Sequence, residues 1–423
     1  MLLDANVAIE RVYRSDWGRI VAALIRLFGD FEMAEETAQE AFAAAVDQWR
    51  ASGIPENPRA WIIQAARNKA IDRIRRRTSF AEKLKSYTAE EISRARVAET
   101  KEDFDASEIS DDQLRLIFTC CHPALALEAQ VALTLHTLCG LETGEIARAF
   151  LVPPTTMAQR LVRAKRKIRD AGIPYVVPAT TDLPERLDAV LTVIYLIFKE
   201  GYASSRSGPL IRSDLCAEAI RLGRLLRTLM PLTPSGGSSE AAGLLALMLL
   251  HDSRRNARLD ATGDLILLEE QDRSQWNHDQ IAEGVRLVEE SLQGPAGPFA
   301  VQAAIAAVHC EAARAEDTDW RQIVRLYGVL ERIQPSPVVS LNRAVAIAMA
   351  EGAEAGLAEV AALSKTGGLE NYYLLHAVRA DLLRRTGSFQ QAAESYRRAL
   401  ALVTNDAERR FLERRLRDVE VKR

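Results

Sequence analysis

The chain has 423 residues, too many for one ordinary domain and enough for two or three with full cores. Hydrophobic residues make up 48% and charged residues 27%, which excludes the disordered and membrane-embedded classes. A formal net charge of -3 excludes a wholly basic protein, so any nucleic-acid surface must be local.

Alanine, leucine, arginine and glutamate dominate and strand-type alternation is scarce, which predicts an all-α fold. No signal peptide opens the chain and no apolar run reaches the length of a bilayer span. Five cysteines in so long a chain indicate a reducing compartment, so a cytoplasmic protein is expected.

In chain order, Val12 to Phe28 reads as a helix with Trp17, Ile20, Leu24 and Leu27 inward, ended at Gly29-Asp30. Ala34 to Trp49 reads as the next helix, burying Ala38, Phe42, Ala45 and Trp49 and leaving Glu35, Glu36, Gln39 and Glu40 outside as an acidic patch. A loop from Arg50 to Pro58 carries Gly53, Pro55, Asn57 and Pro58. Trp61 to Arg76 reads as a third helix with Ile63, Ala66, Ala70 and Ile74 inward and Lys69, Arg73 and Arg76 on another face. Cations prevail from Pro55 to Thr78, where only Glu56 and Asp72 oppose them.

Phe80 to Asp112 is rich in carboxylates and poor in large apolar residues, so residues 79–110 read as a flexible acidic linker between a module at 1–78 and another at 111–172. Cys120-Cys121-His122, with His136 and Cys139 downstream, raises a metal site. Adjacent cysteines serve one ion poorly, however, and the stretch from Leu114 to Leu125 is apolar, so they read as small core residues. No metal and no cofactor is expected. The sequence also lacks the phosphate-binding loop, nucleophile elbow and zinc-helix motifs, so no enzyme is expected either.

Gly140 to Arg169 reads as a helix-turn-helix. Glu142, Thr143 and Glu145 start a first helix that carries Ile146, Ala147 and Phe150, and Pro153-Pro154 stops it. Thr155 or Thr156 is placed to cap the second helix, where Met157, Leu161, Ala164 and Ile168 form one buried stripe. Its other faces carry Gln159, Arg160, Arg163, Arg166, Lys167 and Arg169, residue types that read base edges or grip phosphates.

Residues 178–423 form a helical tail, with helices expected at Leu183 to Phe198, Leu215 to Met230 and Glu240 to Leu250. The apolar run Ala241 to Leu250 suits a buried helix. The segment after it interleaves charges densely and reads as a salt-bridged loop or, as the minority reading, a site lined by Arg254, Arg255, Arg258, Asp264, Glu269, Gln271, Asp272 and Arg273. From Val338 onward two segments align with Gly352 over Gly387, a period of about 35 residues close to the tetratricopeptide unit. Asp319 to Ile333 reads as a degenerate earlier helix of that array.

Taken together, Gly29 to Phe42, Asn57 to Arg77 and the helix-turn-helix resemble, in order and spacing, bacterial extracytoplasmic-function (ECF) sigma factors of the sigma-70 family. The resemblance covers about residues 1–172. It implies that Glu35, Glu36, Gln39 and Glu40 bind core RNA polymerase. It assigns Asn57, Arg59, Trp61, Asn68, Lys69, Arg73 and Arg76 to opening and reading the −10 element. Thr155, Thr156, Gln159, Arg160 and Arg163 would read the −35 element, with Arg166 and Lys167 on phosphates. The recognition helix departs from the family at Pro154 to Gln159, where a glycine commonly precedes the threonine, so the −35 sequence is not carried over. The tail looks like the extension of one sigma-factor group, which implies a fused regulatory domain with a protein or peptide partner in place of a membrane anti-sigma factor. The alternatives are a stand-alone DNA-binding regulator and a tetratricopeptide scaffold.

Overall fold

The computed structural model describes residues 2–82, 106–150, 152–179, 181–202, 212–229 and 237–421. Among them are eighteen α-helices, no strand and one isolated bridge between Leu259 and Leu265. The chain divides into two compact units, Met1–Val193 and Ile194–Arg423. Residues 178–193, expected with the tail, fall in the first unit, where Arg186 donates to the Phe118 carbonyl at 2.5 Å.

The first unit begins with a bundle of α1 (Leu2–Phe28), α2 (Phe31–Ser52) and α3 (Pro58–Glu82). Helix α1 starts at Leu2 rather than Val12 and ends where Gly29 takes φ 66°, a left-handed turn that favours glycine. Asp30 then caps α2 by accepting from the Met33 amide at 3.0 Å. Of the expected inward residues, Trp17, Ile20, Leu24, Ala38, Phe42, Ala45, Trp49, Ile63, Ala66 and Ala70 are buried, while Leu27 and Ile74 are half-buried. Tyr13, Trp17 and Phe42 cluster with ring centroids 4.9 and 5.2 Å apart along the sequence Trp17–Tyr13–Phe42.

Four further helices complete this unit: α4 (Ala106–Cys120), α5 (Leu127–Leu133), α6 (Thr143–Ala149) and α7 (Pro154–Asp170). A single π-helical turn, Thr134–Leu138, extends α5. The linker expected at 79–110 lies mostly outside the described residues, since α3 ends at Glu82 and α4 begins at Ala106. Helix α4 and the π turn pack on α1. Gly18 of α1 lies so close to the π turn that an added Cβ would stand 2.6 Å from the Leu138 carbonyl oxygen.

Helix α8 (Leu183–Tyr202) contains the division between units. The second unit continues with α9 (Ser213–Leu229), α10 (Gly237–Asp252), α11 (His278–Ser291), α12 (Pro298–Glu311) and α13 (Trp320–Ile333). Every residue from Ala241 to Leu250 is buried, as expected for a helix enclosed by its neighbours. Glu240 accepts from the amides of Phe299 and Ala300, both at 3.0 Å, and so caps α12. Five helices close the chain: α14 (Pro337–Glu351), α15 (Ala353–Thr366), α16 (Tyr373–Arg385), α17 (Phe389–Leu402) and α18 (Asp406–Glu420). The aligned glycines Gly352 and Gly387 both sit at hairpin turns with positive φ, 108° and 78°.

Candidate nucleic-acid and partner interface

The second helix of the helix-turn-helix, α7, is held by the expected stripe. Met157, Leu161, Ala164 and Ile168 are each at most 6% exposed, which turns the opposite faces to solvent. Thr155, Thr156, Gln159, Arg163, Arg166 and Lys167 are exposed and Arg160 is half-buried. The threonines do not cap the helix. Pro153 takes the cap position and Pro154 opens the first turn, because its fixed φ suits that position and its missing N–H would have been unpaired there anyway. Thr155 and Thr156 therefore project from the first turn, where a major-groove reader meets base edges. The preceding helix α6 is fixed by Glu145, whose carboxylate accepts from the Glu142 amide at 2.8 Å.

The residues expected around the −10 loop occupy one end and one face of α3. Asn57 is exposed, and its side-chain oxygen accepts from the Ala60 amide at 3.1 Å, so it caps the helix that Pro58 starts. Arg59 pairs with Asp16 at 3.4 Å. Trp61 is half-buried and meets buried Trp49 edge-on at 5.5 Å, so at least part of its indole serves packing. Asn68 is exposed and accepts from Gln64 at 3.0 Å. The side chain of Arg76 lies outside the described residues.

The acidic and basic faces meet each other. Arg73 bonds Glu36 and reaches Glu40 at 2.9 Å, and Lys69 stands 3.9 Å from Glu40. Glu36 and Gln39 remain exposed and Glu40 half-exposed.

Glu35 corrects the sequence reading. Expected outside with its acidic neighbours, it is 5% exposed. It stands four residues after buried Phe31 and three before buried Ala38, so the helical period places it on the inner stripe of α2. Three groups from the second module make that burial tolerable. Lys165 of α7 donates to Glu35, Thr137 donates to it at 2.9 Å, and the His136 ring approaches at 3.4 Å. Burial works to raise the Glu35 carboxyl, but His136 and Lys165 outweigh it and hold the group below the ordinary glutamate range.

This cluster joins α2 to α7, and other ties run parallel to it. The Tyr13 hydroxyl donates to the Gly140 carbonyl at 3.0 Å. Arg26 donates to fully buried Asp112 at 2.8 Å, and Arg115 does so at 3.0 Å. The Tyr175 hydroxyl lies 3.1 Å from the Ala22 carbonyl and 2.9 Å from that of Asp112. Sequence reasoning missed Lys165, Thr137 and Tyr175. The available signal was the place of Lys165, four residues after Leu161 and three before Ile168 of the buried stripe.

Cys120, Cys121 and Cys139 are buried in the core of this unit. Burial raises the Cys121 thiol to about 12, so it is an inert packing group at neutral pH. Among the described residues no helix is long and apolar enough to cross a membrane.

Residues 12–80 match Sigma-70 region 2, residues 115–168 match Sigma-70 region 4, and residues 186–292 match a family of unknown function, DUF6596. An uncharacterized protein of Rhizobium meliloti (strain 1021) is 43% identical over 397 residues, covering 94% of this chain and 92% of that protein. The probable ECF RNA polymerase sigma factor SigI of Mycobacterium tuberculosis is 26% identical over 167 residues, 39% of this chain and 56% of SigI. No solved structure matches the chain.

Proposed function

We propose that the chain, which belongs to one family with the Rhizobium meliloti protein and carries Sigma-70 regions 2 and 4, is an alternative sigma factor of the ECF type. In this reading it binds core RNA polymerase, directs initiation at its own promoters, and carries a fused regulatory domain in its second unit. The observation that carries the proposal is the pairing of regions 2 and 4, in sigma order, with an exposed cationic face on α7 backed by a buried apolar stripe. No catalytic chemistry is asked of the chain. The polymerase forms the bonds and the sigma factor supplies recognition and strand opening, in the cytoplasm where polymerase and promoter DNA are met.

Exposed Gln159, Thr155, Thr156 and Arg163, with Arg160, suit base-edge contacts in the major groove, and Arg166 and Lys167 suit phosphates. Arg59, Lys69 and Arg73, next to capping Asn57, suit an opened −10 strand, whose phosphates need cations and whose bases need hydrogen bonds. Glu36, Gln39 and Glu40 suit a basic polymerase surface. Their pairs with Arg73 and Lys69 are solvent-exposed ones worth about 0–1 kcal/mol, so exchanging those partners costs little.

The two promoter elements lie, by their names, about 25 base pairs apart, or roughly 85 Å at about 3.4 Å per step. Modules held together by Glu35 and Lys165 do not span that distance, so promoter recognition requires them to separate. The closed arrangement is then the resting state, and polymerase and promoter binding open it.

The aligned hairpins of α14–α17 support a tetratricopeptide-like array in the regulatory domain, whose stacked helices offer a surface to a protein or peptide partner. Transcription in vitro with core polymerase and the full chain tests the reading. Discrete start sites that core polymerase alone does not produce are expected. A chain that binds duplex DNA but never yields promoter-specific transcripts with polymerase refutes the proposal and favours a stand-alone regulator.

A further inference from the structure

The second unit encloses a cavity of about 660 Å³, within the size range of small-molecule sites. Val345, Met349, Val378, Leu382 and Phe411 give it an apolar wall. Arg273, His309 and Trp320 also line it. Arg273 spends one nitrogen on the carbonyls of His309 (2.7 Å) and Ala312 (2.5 Å), and its guanidinium stacks 4.6 Å from the Trp276 ring centroid.

Near Arg273 and His309 lies positive charge without a paired carboxylate. Arg254 is 8% exposed, its Nη2 meets the Tyr202 hydroxyl at 3.2 Å and His251 at 2.9 Å, and its Nε has no partner. Arg258, also 8% exposed, lies 3.7 Å over the Tyr202 ring and donates to the Tyr202 carbonyl. Among the described residues none of Arg254, Arg258 and Arg273 has a carboxylate within ion-pair distance. The histidines do not add to this charge. Burial, with Arg254 and Arg273 beside it, lowers His309 to about 4, and burial holds His251 well below its ordinary value.

The carboxylates facing the cavity are already engaged. Glu269 pairs with Arg385 at 3.6 Å, and Asp381 pairs with Arg384 at 2.7 Å and Arg385 at 2.8 Å. Glu316, which also lines the cavity, and Asp317 act on Arg273, and both pair with Arg314. Glu408 acts on Arg258 from beyond ion-pair distance, and burial raises its carboxyl above the ordinary glutamate value. Burying a guanidinium with no counter-charge is costly, and an anion brought into the cavity would relieve that cost.

We infer that this cavity binds a small amphiphile with an apolar body and one anionic head, the head at Arg273 in the field of Arg254 and the body along Val345, Met349, Val378 and Leu382. The site stands whether or not the first unit reads promoters.

The full chain is titrated with anilinonaphthalene sulfonate, an anionic aromatic amphiphile, and with N-phenylnaphthylamine, the same ring system without the sulfonate. One saturable sulfonate site is expected, tighter than the uncharged dye by about tenfold, the worth of one charged hydrogen bond. Arg273→Gln removes that preference and leaves the uncharged dye unaffected. Arg254→Gln serves the same comparison where Arg273→Gln lowers helix content. Val378→Trp, or Met349→Trp where the first fails to fold, blocks both dyes. Decanoate and decyl phosphate displace the bound dye, the tighter of them identifying a carboxylate or phosphate head, and decanol does not. Equal binding of the two dyes, or displacement by decanol alone, overturns the anionic head. Undiminished binding in folded cavity-filling variants places the dye elsewhere and overturns the site.

Discussion

Replacing Lys165 by methionine keeps most of the side chain's apolar stem and deletes its charge. In the closed first unit the Glu35 and Lys165 side chains are 7% and 13% exposed, so the loss is that of a buried pair rather than a surface one. Breaking a buried pair from one side costs about 3–5 kcal/mol. Thr137 and His136 still face Glu35, which places the effect at the lower end, about 3 kcal/mol. At about 1.4 kcal/mol per factor of ten, the ratio of separated to closed modules rises roughly hundredfold. Spin labels at exposed Gln48 and Val162, on α2 and α7, read the separation as a distance distribution. One short distance is expected in the parent chain, and a longer, broader population grows in Lys165→Met. Transcription by the variant with core polymerase should rise if closure is the resting state. An unchanged distance distribution refutes the argument that this pair holds the modules together.

Four further outcomes follow from the same structure. The Glu35 carboxyl is held below its unfolded value, so its stabilisation is complete above the ordinary glutamate range and is lost as pH falls through the lower folded value; the labelled chain should therefore open on acidification, and Glu35→Gln should flatten that dependence. Gly18→Val drives a side chain against the Leu138 carbonyl oxygen, where an added Cβ stands at 2.6 Å, and should cost about 1–3 kcal/mol, read by calorimetry as a lower melting temperature for the first unit. Arg163→Ala should relax preference at one −35 position, whereas Lys167→Ala should weaken binding to all sequences and reduce the salt slope by about one, both measured with holoenzyme on promoter DNA. Glu36→Lys with Glu40→Lys breaks only exposed pairs, so the fold should survive by circular dichroism while co-purification with core polymerase is lost.

Periodicity alone carried much of the fold. Ala241 to Leu250 reads as a buried helix because ten apolar or small residues leave no polar face, and it is buried throughout. Met157, Leu161, Ala164 and Ile168 mark the inner stripe of α7 for the same reason, and with it the faces left for DNA. Asn57, Gly29, Gly352 and Gly387 were legible as punctuation because capping and positive φ are local demands. The capping role assigned to Thr155 or Thr156 failed because two prolines in sequence offered a better start one turn earlier.

An all-helical chain, two modules in sigma order and a cationic second helix in the helix-turn-helix were legible in the sequence, since each depends on residues near one another along the chain. The tertiary structure decided what those faces touch. Glu35 reads as an exposed acid until Lys165, 130 residues away, is brought against it. Arg254, Arg258 and Arg273 read as parts of a salt-bridged loop until folding gives the nearby carboxylates to Arg314, Arg384 and Arg385 and leaves these three without one. Helical spacing reports which way a side chain points, but the charge it meets there is set by chain segments far away in sequence.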